Sequence, residues 1–253
     1  MNRTSTAIGR SIARFLEKQT PGYMLMAVAS PAQMRAALRP ADVVLVEGDR
    51  RISSAIKYLT QSMWSHAAMF VDDGDGRDLI EADLTEGVRY IGLDQLLPFN
   101  LRICRPVGLT EPDRATVLNH MRKSLGRTYD LKNVIDLARF LLPEPPVPRR
   151  FRRRLLALGS GDPTRAICST VIAEAFEAVR YPILPMITTE VDDKVMREIW
   201  HIRHHSLFAP RDFDVSPYFA VVKPTLEAGF DYRAVPWSKP AEVADFSGAD
   251  DSG

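Results

Sequence analysis

The sequence predicts an α+β protein, with antiparallel strands in its first half and helices dominating its second. Three observations predict this. Short apolar runs bounded by turn residues fill the stretch 41–107, among them ADVVLVEG, WSHAAMFV and LRICRPV. The connection DDGDGRD, residues 72–78, carries the Gly and Asp residues of a hairpin turn. From residue 111 onward the apolar residues recur at helical spacing, as in Val117, Leu118, Met121 and Leu125. With 45% hydrophobic residues over 253 positions, the chain can bury a sizeable core.

The elements follow in order. Residues 5–18 place Ile8, Ile12, Phe15 and Leu16 opposite Arg10, Arg14 and Lys18, which predicts a basic amphipathic helix ended by Thr20-Pro21-Gly22. A second helix starts at Ser30, with Pro31 in its first position, and runs to about Leu38. These two form an N-terminal helical extension, residues 1–37. The main domain spans 38–225. It opens with a buried strand, Ala41–Gly48, and a helix from Ser53 to Thr60, capped by Ser53 with Ile56 and Leu59 inward. Strands are predicted at WSHAAMFV, at Leu79–Leu84, Gly87–Leu93 and Leu101–Val107. A helix from Glu111 to Leu125 stops at Gly126, and another covers 131–142. After the proline-rich PEPPVP and a loop from Gly159, a helix starts at about Ile167 and buries Val171, Ile172, Ala175, Phe176 and Val179. Tyr181–Pro185 is a proline-bounded turn, and Phe219–Pro224 a closing strand. Residues 226–253 are a tail whose small, polar end is expected to be disordered.

Charge and cysteine usage exclude some classes. A net charge of +1 gives no global argument for nucleic-acid binding. The arginine cluster Arg149, Arg150, Arg152, Arg153 and Arg154 has no nucleic-acid recognition fold around it. An anionic membrane surface is the partner such a cluster fits, each basic residue there contributing about 1 kcal/mol. The basic N-terminal helix could act with it. Two cysteines, Cys104 and Cys168, do not make a disulfide scaffold and point to a reducing compartment. The N-terminus lacks the apolar core of a secretory signal, and YMLMAVA is far shorter than the roughly 20 residues a bilayer needs. A cytoplasmic protein is expected, with peripheral membrane contact left open. In HIRHH, His201 and His205 would share a helix face and His204 lies between them, but no Glu follows His201 as in a metalloprotease helix. No metal site and no cofactor are expected.

Two residues carry the chemistry. Cys168 stands where a Gly/Pro loop gives way to a helix. A helix N-terminus carries about half a positive charge. It lowers a thiol's pKa, and its free N–H groups can hold an oxyanion. Cys104, in the middle of a predicted strand, has no such terminus and fits a small buried residue. His66 begins the apolar stretch HAAMF, where a strand-borne imidazole can take a thiol proton. A third polar group would hold that imidazole's orientation. Glu81 and Asp83 share one face of the neighbouring strand, and spacing alone does not choose between them.

The ordered set of a DVVLV strand, SHAAMF, LIEA, GVR, then YD and ICSTVIAEAF resembles the permuted papain-like amidases. These form the YiiX/YaeF-like branch of the NlpC-type cysteine peptidase superfamily. The resemblance covers roughly Leu38 to Pro185, and the order His66, Glu81, Cys168 is that of the circularly permuted branch. It implies a papain-like fold with an antiparallel, partly barrel-like sheet against helices. It implies Cys168 as nucleophile, His66 as base and Glu81 as the acidic third member. Tyr129, at a recurring family position, is expected in the cleft, and Ser65 and Ser169 are expected to contact substrate.

The expected activity is hydrolysis of an amide or ester through a Cys168 acyl-enzyme. Two alternatives stand beside it. One is a lipid-directed acyltransferase or lipase with the same thioester. The other is a non-catalytic module that binds lipid or peptide at a membrane.

Overall fold

The computed structural model describes residues 29–83, 86–128, 167–192, 195–201, 204–205, 208–229, 231 and 233. The predicted helices at 5–18 and 131–142, Tyr129, the arginines of 149–154 and the end of the tail lie outside the described residues.

A six-stranded, all-antiparallel sheet organises the chain, in the order β4-β3-β2-β1-β5-β8. Its strands are β1 (Val43–Glu47), β2 (His66–Phe70), β3 (Leu79–Asp83), β4 (Gly87–Ile91), β5 (Asn100–Pro106) and β8 (Phe219–Val222). The sheet is open, with β4 and β8 at its edges, and does not close into the expected barrel-like form. Helices α1 (Pro31–Ala37), α2 (Arg51–Thr60), α3 (Glu111–Lys123) and α4 (Ile167–Glu177) accompany it. Farther along are a separate hairpin of β6 (Met186–Asp192) with β7 (Val195–His201), and the short helices α5 (Pro210–Val215) and α6 (Pro224–Glu227).

The burial of β1 explains its sequence. Val43, Val44, Leu45 and Val46 are all buried, because both faces of the sheet are covered. On one face Leu45, Ala67, Met69 and Ile80 pack with Val117 and Met121 of α3 and Val171, Ile172 and Phe176 of α4. On the other, Val44, Val46, Ala68, Phe70 and Ile103 pack with Met34 and Ala37 of α1. Phe176 is fully buried and meets Phe219 edge-on at 5.3 Å. Burying such a side chain contributes about 1.5–3 kcal/mol.

Local chemistry sets the boundaries. At α1 the Ser30 hydroxyl accepts the Gln33 N–H at 3.2 Å, while the Gln33 side chain accepts the Ser30 N–H at 2.9 Å. This reciprocal cap and Pro31 fix the helix start as the sequence predicts. Arg35 then grips Asp78 with two hydrogen bonds, at 2.8 and 3.1 Å, tying α1 to the residue just before β3. Gly87 opens β4 at φ +77°, and a Cβ there would come within 2.3 Å of the Arg127 carbonyl. That close approach lets Val88 donate to Arg127 and accept from Gly126, both at 2.9 Å, so the chain after α3 covers the β4 edge.

Three expectations are corrected. Ser53 does not cap α2: the cap position is Arg50, with no side-chain hydrogen bond, and Ser53 is buried inside the helix. Its hydroxyl packs against Gly48, where an added Cβ would lie only 2.3 Å away. Val179 lies beyond α4, which stops at Glu177. The stretch 186–201, for which no element is predicted before the helix face proposed for His201 and His205, is a β-hairpin. Its β-branched residues on either side of Asp192 carry that signal. His201 therefore ends a strand, and no helix sets it four residues below His205. Among the described residues, no helix is long and apolar enough to cross a membrane.

Candidate active site

The site forms where two strands part. β2 and β3 pair through Phe70–Leu79, Met69–Ile80 and Ala68–Glu81. Beyond that point β3 continues to Asp83 paired with β4, and β2 turns away from it. Ala67 and His66 thus lie on one prong of a fork whose crotch is Glu81. Helix α4 packs against both strands, and its first turn sets Cys168 at the opening. The Ala67 N–H, which has no partner in the β3 ladder, is among the groups that lower the Cys168 pKa.

His66 bridges the rest. Its Nε2 lies 2.7 Å from Glu81 Oε2, and the ring is close enough to Cys168 that each shifts the other's pKa. With Nε2 engaged by the carboxylate, Nδ1 is left for the sulfur. Glu81 is buried, and its other oxygen, Oε1, accepts from Arg89 Nε at 3.0 Å and Nη2 at 2.8 Å. Cys168 is 6% exposed and the His66 side chain 26%, so solvent reaches the imidazole more readily than the thiol.

The electrostatics follow from these contacts. Burial opposes an imidazolium at His66, but Cys168 and Glu81 outweigh it and push the pKa up to about 10. Burial also opposes a thiolate at Cys168. The His66 charge and hydrogen bond, with smaller contributions from the Ala67 N–H and Ser169, overcome it and hold the thiol below its ordinary range. At Glu81 desolvation again pushes toward the neutral form, and His66 with Arg89 keeps the carboxylate ionised. The contacts thus favour a thiolate beside an imidazolium, with a carboxylate behind the ring.

The other predicted residues fall elsewhere. Asp83 stands at the far end of β3, where its side chain accepts the Glu86 N–H at 3.0 Å. Ser65 is 2% exposed, and its hydroxyl accepts the Gly48 N–H at 2.9 Å, a brace between β1 and β2 with no surface to offer a substrate. Ser169 is fully buried with its hydroxyl 4.0 Å from the Cys168 sulfur. Cys104 sits in the middle of β5, and burial, with the nearby Asp214 carboxylate, pushes its thiol up to about 12. His204 stacks on His205 at 4.0 Å, and His205 Nδ1 engages Glu177 at 2.8 Å. Among the described residues, no three His, Cys, Asp or Glu side chains are grouped to hold a metal ion.

Arg89 is the residue that sequence reasoning missed. A signal for it exists: around the tight β3–β4 turn Asp83 pairs with Gly87, so Glu81 falls directly opposite Arg89. Opposite charges facing each other across a hairpin are a recognisable pair once the register is drawn.

No protein-family model matches the chain, and no curated protein matches it. Among solved structures, it is similar to the crystal structure of metalloprotein yiiX from Escherichia coli O157:H7 (DUF1105). The TM-score is 0.45 at 14% sequence identity, over 74% of this chain and 97% of that one.

Proposed function

We propose that the protein is a cysteine hydrolase of the permuted papain-like type, cleaving an amide or ester bond. The observation that carries this reading is the His66–Glu81 hydrogen bond beside the electrostatically coupled Cys168, with the sulfur in the first turn of α4. The Cys168 thiolate attacks the carbonyl carbon, forming a C–S bond while the carbonyl electrons move to oxygen. N–H groups at the start of α4 are suited to hold that oxyanion. As the oxyanion collapses, the bond to the amine or alcohol breaks, and the leaving group takes the proton from His66. Water then gives a proton to His66 and attacks the thioester, and the C–S bond breaks to release the acid. Transfer to an acceptor other than water uses the same intermediate. Docking to an anionic membrane through Arg149, Arg150, Arg152, Arg153 and Arg154 is a separate proposal that liposome flotation tests.

The decisive experiment presents panels of peptide amides, carboxylic esters and phospholipids, then measures the intact mass of the protein. An acyl adduct on Cys168 that His66→Ala abolishes supports the reading. No adduct from any panel, with Cys168 no more reactive to iodoacetamide than Cys104, overturns it.

A further inference from the structure

Glu81 has two carboxylate oxygens with separate tasks. Oε2 meets His66, and Oε1 takes both the Nε and Nη2 hydrogens of Arg89. A carboxylate at the end of three rotatable bonds would otherwise exchange its oxygens and swing toward solvent. The two-point grip on one oxygen stops this and aims the other at the imidazole. Arg89 is itself held. It sits directly opposite Glu81 in the β3–β4 ladder, and its Nη1 donates to Glu86 at 2.6 Å. Asp83 lies 3.9 Å from its Nη2. The groups in play are thus His66 on β2, Glu81 and Asp83 on β3, Arg89 on β4 and Glu86 at the turn, with Cys168 on α4 beyond the imidazole.

We propose that Arg89 is the positioning residue of this site: it fixes the Glu81 rotamer, and through it the ring orientation that points His66 at Cys168. The inference rests on Cys168, His66 and Glu81 being the reacting set. Arg89 acts through Glu81 and touches neither the sulfur nor the imidazole. Its charge also offsets the burial of Glu81, so without it the carboxylate is harder to ionise and supports the imidazolium less. A lysine keeps the charge but cannot place two parallel N–H groups on one oxygen.

The test uses the full-length protein and two readouts. The first is the pH profile of iodoacetamide alkylation at Cys168. The second is the His66 imidazole nitrogen titration by NMR, which reports the ring whether or not the thiol reacts. Arg89→Met should move the acid limb of alkylation up by about one pH unit, which is about tenfold slower labelling at a fixed pH on that limb. It should shift the His66 midpoint the opposite way, to lower pH. Arg89→Lys should recover part of both shifts, and because it preserves the surface charge it keeps the test open if Arg89→Met fails to fold. Profiles of a folded Arg89 variant that superimpose on the wild type in both readouts would overturn the inference. A wild-type Cys168 that labels no faster than Cys104 would instead defeat the proposed activity, and the His66 titration would still decide whether Arg89 sets the ring.

Discussion

Cys104 and Cys168 are both buried thiols, yet their surroundings drive them in opposite directions. Cys104 lies in β5 with a ladder on each side, opposite Val43 of β1 and Val221 of β8. Its backbone is fully engaged by neighbours, and burial sends its pKa up to about 12. Cys168 is also desolvated, but it faces the place where one ladder ends, so a backbone N–H and an imidazole are free to turn toward it. Burial alone raises a thiol's pKa; burial beside hydrogen-bond donors and a cation can lower it.

The sharpest way to break this contrast is to remove the cation. His66→Ala should slow Cys168 alkylation at neutral pH by about 10²- to 10⁴-fold, the span of general acid–base effects, and leave Cys104 unchanged. Peptide mapping after a timed iodoacetamide pulse separates the two sites. Next in size is stability. Cys104→Ser puts a hydroxyl into an apolar setting and should cost about 1–3 kcal/mol in urea unfolding. The wild-type pH profile tests the origin of the contrast. Because the Cys168 pKa is lowered, its alkylation should persist well below the usual thiol range and fail only as acid protonates the sulfur. Raising the pH through about 10 removes the His66 proton without removing the thiolate. Cys104 should begin to react only as the pH nears about 12. Glu81→Gln should shift the Cys168 acid limb up by about one unit, about tenfold at a fixed pH. Smallest of all, Cys168→Ser should change unfolding by about 0.5–1.5 kcal/mol, the net worth of one hydrogen bond, since the Ala67 N–H gives the new hydroxyl a partner.

What the sequence disclosed was local. The apolar run of β1, the Gly/Asp turn before β3, the cap at Ser30 and the helix after Ile167 all follow from side chains acting within a few residues of themselves. The meeting of His66 with Glu81 came from residue order and a family resemblance, since alternation on a strand left Asp83 equally eligible. Arg89 and the fork were illegible for one shared reason. Periodicity says which face a residue occupies, but not which residue stands across from it or where a ladder stops. Ser65 and Ser169, the sequence neighbours of His66 and Cys168, are both enclosed. The β6–β7 hairpin lies in a stretch for which no element is predicted.

The Ala67 amide, one of the groups that lower the Cys168 pKa, makes the end of β2 an antenna for the charge on that sulfur. Protonation, alkylation or acylation of Cys168 each withdraws negative charge from the atom that amide addresses. The Ala67 amide resonance and its exchange rate with deuterium should therefore register every chemical event at the thiol. A turnover would be visible as a flicker in the backbone before any product is identified.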